Sequence, residues 1–72
     1  MNTTTVTTTH LLTTPQALLL TYRFNGGSVE DAAAAFRMNR LAVRMMEAEA
    51  MQVLRQAGYD AEAIRAHFTH AA

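Results

Sequence analysis

Seventy-two residues allow one domain with a modest core, so a stability of only a few kcal/mol is expected. The formal charge is zero, all six basic residues are arginine and cysteine is absent, which excludes disulfides and thiolate metal sites and fits a reducing cytoplasm. No apolar run approaches the roughly 20 residues that cross a bilayer, and the N-terminus lacks the basic start and apolar middle of a signal peptide. The composition therefore points to a soluble cytoplasmic chain.

Residues 1–13 are threonine-rich and have no partner strand in view, and threonine side chains compete for backbone hydrogen bonds. A disordered arm is expected there. An arm that enters the minor groove needs arginine, and this one has none. The folded domain is expected over 14–72, all-α, with about four helices.

Thr14-Pro15 is a helix-start signature, a hydroxyl at the cap followed by proline in the first turn. The first helix then runs from Gln16 to Phe24, with Leu19, Leu20 and Phe24 inward and Leu18 and Tyr22 on a flank. Asn25-Gly26-Gly27 ends it, glycine supplying the left-handed conformation.

Over 28–56 the spacing predicts a short helix, a three-residue break and a longer helix that pack as a helix-turn-helix. Ser28 is the first cap, with Asp31 three residues on in a short-armed capping box, and Glu30 and Asp31 suit the positive end of the helix dipole. Ala32, Ala33 and Phe36 form the inner face. Arg37-Met38-Asn39 is the break, Met38 a plug and Asn39 the next cap. Beyond Arg40, the residues Val43, Met46, Ala50, Val53 and Leu54 recur at helical spacing and turn one face of about four turns inward. The opposite face carries Arg40, Leu41, Arg44 and Met45, and in a helix-turn-helix that outer N-terminal face enters the major groove. The acids Glu47 and Glu49 farther along are read as a solvated face, with a protein contact as the alternative.

Ala57-Gly58 stops the long helix, and Asp60 caps a final one over 60–70, with Tyr59 placed to staple onto Ile64. Ile64, Phe68 and Ala61 form its apolar stripe. An added amphipathic helix on so small a domain either closes the core or makes a dimer; the small core favours the homodimer, so Tyr59, Ile64 and Phe68 are the expected dimer or partner interface. His67 and His70, even with His10, make too sparse a ligand set for a metal. No nucleophile has a base and an orienting partner, and no glycine loop suits a phosphate. Neither enzyme activity nor a cofactor is expected.

Residues 15–56 resemble region four of the bacterial primary sigma factors. The likeness rests on Ser28-Val29-Glu30-Asp31, Phe36, Arg40, Val43, Arg44, Met46, Glu47-Ala48, Ala50, Leu54 and Arg55, and upstream on Gln16-Ala17-Leu18-Leu19-Leu20 and Arg23-Phe24. It implies a promoter-reading module of bacterial or phage type that also docks on the flap of RNA polymerase. Leu41 and Met45 stand where the family has a glutamate and a glutamine that read bases, and Glu49 and Gln52 replace later basic residues. The resemblance therefore implies the scaffold and not the promoter specificity.

Two functions follow. One is a DNA-binding transcriptional regulator, with Arg40 and Arg44 on guanine or phosphate, Arg37 and Asn39 on the backbone, and Leu41 or Met45 on thymine methyls. The other is a sigma-like module that binds RNA polymerase or a sigma factor without reading bases, favoured by Leu41, Met45, Glu49 and the neutral balance.

Overall fold

The computed structural model describes residues 11–69, which form four α-helices and, among the described residues, no strand. They are α1 (Thr14–Phe24), α2 (Val29–Phe36), α3 (Arg40–Gln56) and α4 (Ala61–Phe68). The small all-helical fold is the one expected. Residues 1–10, including the threonine tract and His10, and residues 70–72, including His70, lie outside the described residues.

Each helix starts on a side chain that accepts from a backbone N–H three residues on: Thr13 from Gln16, Ser28 from Asp31, Asn39 from Ala42 and Asp60 from Ala63. These bonds satisfy donors that the first turn leaves without an intrahelical acceptor. Three of the four caps are those the sequence indicates. At α1 the cap is Thr13 instead of Thr14, because the Thr13 N–H donates back to Gln16 Oε1 at 3.0 Å and completes a reciprocal box. At α2 only the Ser28 half of the expected box forms among the described hydrogen bonds.

Helices α1, α2 and α3 also end alike, in a left-handed residue flanked by two bonds that reach back into the last turn. After α1, Gly26 (φ 102°) donates to Arg23 O and Gly27 to Tyr22 O. After α3, Gly58 (φ 103°) donates to Arg55 O and Tyr59 to Leu54 O. After α2, the pattern is Arg37 to Ala34 O and Met38 to Ala33 O, and Arg37 holds φ 55° where the other two ends have glycine. A side chain in this region strains against its own backbone, which is why glycine dominates such positions. Gly27 is needed for another reason: a Cβ there would collide with the Tyr22 ring, which stands edge-on to Phe36.

The apolar side chains gather into two clusters. In the head, Leu19, Ala32 and Val43 are buried, with Val29, Ala33, Phe36, Met38 and Met46 packed around them. In the base, Leu12, Leu20, Ala50, Leu54, Ile64 and Phe68 are buried, with Phe24 stacked on Phe68. Helix α1 packs against each of the other three. The side chain of Asn25 closes the base, donating to Phe68 O at 2.8 Å across 43 residues of sequence.

Three expectations are corrected here. Leu12 is 6% exposed and sits in the base, so the folded unit starts before residue 14. Ile64 and Phe68 are 2% and 5% exposed: α4 folds back to close the monomer's own core, and those two side chains are spent there and are not offered to a second copy. Tyr59 is half-buried against the same cluster, and Ala61, expected in the stripe, is exposed.

Arg37 offers a direct check on the strained turn. Arg37→Gly is expected to raise stability by about 1 kcal/mol, since glycine adopts positive φ freely. Thermal unfolding should show a melting temperature about 4–8 °C higher, whereas a lower one contradicts the left-handed assignment.

Candidate nucleic-acid interface

All six residues expected to contact DNA, Arg37, Asn39, Arg40, Leu41, Arg44 and Met45, are exposed. Asn39 caps α3, its carboxamide oxygen accepting from the Ala42 N–H at 2.7 Å, so only its amide nitrogen is left for an outside acceptor. Arg40, Leu41, Arg44 and Met45 follow at helical spacing on the side of α3 opposite the buried Val43, Ala50 and Leu54. Arg40, Leu41 and Arg44 together line a shallow depression.

The local field favours an anion. Helices α2 and α4 carry acids in their first turns, whereas α3 has none. The positive end of its dipole is therefore backed by Arg37, Arg40 and Arg44, with no acid from Ala32 to Met46. One acid from α2 approaches: Glu30 pairs with Arg40 at 3.4 Å, both side chains being more than two-thirds exposed (78% and 68%). A long pair this open to water contributes little and exchanges readily for another anion. Arg44 takes part in no hydrogen bond or ion pair among the described residues.

Between these arginines the face is apolar, Leu41 and Met45 being 68% and 56% exposed, the highest values among the large apolar side chains described. Their methyl and thioether surfaces suit thymine methyls or an apolar protein surface, and they supply no hydrogen-bond readout.

Glu47 is not part of a solvated face: it is paired within the chain. Its Oε1 accepts from Arg23 Nε at 2.7 Å, and Arg23 Nη1 donates to Gly27 O at 2.7 Å. One guanidinium thus joins the middle of α3, the end of α1 and the turn into α2, with both charged side chains about 70% covered (28% and 32% exposed). The sequence reading missed this bracket because its two ends lie 24 positions apart. Glu49 is exposed, as read. His67 lies half-buried, edge-on to Phe68, and no group of three possible metal ligands occurs among the described residues. Nor is any described helix long and apolar enough to cross a membrane.

No protein-family model, curated protein or solved structure matches this chain.

The bracket sets the orientation of α3, and its loss should register as stability. Glu47→Ala is expected to cost about 1 kcal/mol, more than a surface pair because half-buried Arg23 is left with one acceptor fewer. Glu47→Gln keeps an acceptor and should recover part of it. Chemical denaturation of both variants checks the order, and equal losses would show that the negative charge of Glu47, which glutamine lacks, and not packing or a neutral acceptor is responsible.

Proposed function

We propose that the chain is a small helix-turn-helix regulator that acts by binding double-stranded DNA, with the N-terminal half of α3 in the major groove, and not by catalysis. The observation that carries this reading is the outer face of α3, where Arg40 and Arg44 project beside Arg37 at a helix start with no acid in its own first turn. Arg44, unpaired among the described residues, is the best placed to fork onto guanine O6 and N7. Arg37 and Arg40 flank it as phosphate contacts, Asn39 offers its amide nitrogen to the backbone, and Leu41 and Met45 meet thymine methyls. The likeness to sigma region four supports the same placement. Three cations per copy make weak binding with a salt slope of about −3 in log–log terms.

A second reading, a module that docks on RNA polymerase or a sigma factor, is favoured by the exposure of Leu41 and Met45 at the centre of the same face. Charged substitutions at these two positions abolish retention of polymerase on that reading.

Selection from a random duplex library, followed by anisotropy titration at fixed salt, tests the first reading. Arg44→Ala is expected to weaken binding to the selected duplex by at least about 1 kcal/mol. Glu30→Gln works in the opposite direction: it frees Arg40 and removes a charge that repels phosphate, so affinity should rise. An unselected library, or an unchanged Arg44→Ala titration, rejects the DNA reading.

A further inference from the structure

We propose that α3 also pairs with α3 of a second copy as a parallel, in-register two-helix seam. The inference does not rest on DNA binding, and it relocates self-association from α4, whose stripe is used in the core, to the outer face of α3.

Leu41, Met45, Ala48 and Gln52 are all exposed and are spaced four, three and four apart. At 3.6 residues per turn they fall within about 60° of the helix surface, the a and d positions of a short coiled-coil seam. That stripe lies across the helix from the buried Val43, Ala50 and Leu54, so nothing in the monomer's core competes for it. Its first two members are the large apolar side chains most open to water among the described residues.

The flanking charges choose both the occupant and its direction. Arg44 precedes the stripe residue Met45 and Glu49 follows the stripe residue Ala48, so they border the seam on opposite sides, five residues apart. In a parallel in-register pair, a residue at this leading flank faces the residue five positions on in the partner helix. Arg44 of each copy then meets Glu49 of the other, giving two symmetric ion pairs. An antiparallel pair sets each flank against its own kind and leaves both charges unmatched. Neither residue has an intramolecular ion pair among the described residues, so both are available.

From Leu41 to Gln52 the seam is about 17 Å long, well short of what a stable interface needs, so the dimer is weak and depends on concentration. Because it covers Arg44, Leu41 and Met45, a second copy and any other partner of that face exclude each other.

Sedimentation equilibrium of the full chain, without DNA, from micromolar to millimolar concentration tests the proposal. The parent should show a monomer–dimer equilibrium. Arg44→Glu and Glu49→Arg should each weaken it at least about tenfold by bringing like charges together, and the double variant should restore it. Both positions are exposed, and circular dichroism checks that each variant stays folded. For direction, Gln52→Cys in this cysteine-free chain should give a disulfide-linked dimer on mild oxidation, since only the parallel register sets position 52 beside its own copy. A parent that stays monomeric at millimolar concentration, a double variant as weak as the single ones, or a Gln52→Cys chain that does not cross-link would each overturn it.

Discussion

Two adjacent leucines on α1 divide the molecule. Leu19 enters the head with Ala32 and Val43, and Leu20 enters the base with Leu12, Ala50, Leu54, Ile64 and Phe68. Neighbouring helical positions point about 100° apart, so one helix can seal two clusters only when its partners wrap it on two sides. That is why α1 touches every other helix and why α3, whose Val43 and Leu54 lie in different clusters, must run the length of the domain. The outer face of α3 is as rigid as this arrangement makes it. Its inner face is anchored in both clusters, and its midpoint is held by Glu47 on Arg23.

Hydrogen-bond geometry at the helix ends does what a larger core would do elsewhere. Helices of 8 residues, such as α2 and α4, are too short to be stable alone. Each has a side-chain cap at its start, and α2 in addition closes by the same backbone pattern as α1 and α3. The exception in composition is Arg37, which occupies a glycine conformation at the turn of the helix-turn-helix. The chain tolerates that strain at the one helix end where an extra positive charge stands beside the start of α3.

The parts of this fold legible in the sequence are those governed by local rules. Ser28, Asn39 and Asp60 as caps, the stops at Gly26 and Gly58, and the inward sets Leu19-Leu20 and Val43-Ala50-Leu54 all follow from spacing and turn chemistry within one helix. What was not legible depends on partners distant in sequence. The one exception is local: Thr13 and Thr14 offer equivalent hydroxyls, and Gln16, three residues after Thr13, completes the box that chooses between them. Leu12 looks like the tail of a threonine tract until Phe68 and Ile64 arrive beside it. An amphipathic stripe such as that of α4 carries no mark that tells a partner's surface from the chain's own. For the site, the exposure of Arg40, Leu41, Arg44 and Met45, the four residues on α3, was legible from the helix period. The approach of Glu30 to Arg40 was not, because it requires the two helices to be docked.

The entry and exit of the folded unit meet in the same place. Leu12 and Phe68 share the base cluster, and the Asn25 carboxamide ties the last carbonyl of α4 to the end of α1. The chain therefore enters the described residues and leaves them at the base. The turn between α2 and α3 belongs to the other cluster, the head, so the outer start of α3 and the two ends of the described chain lie on different parts of the domain.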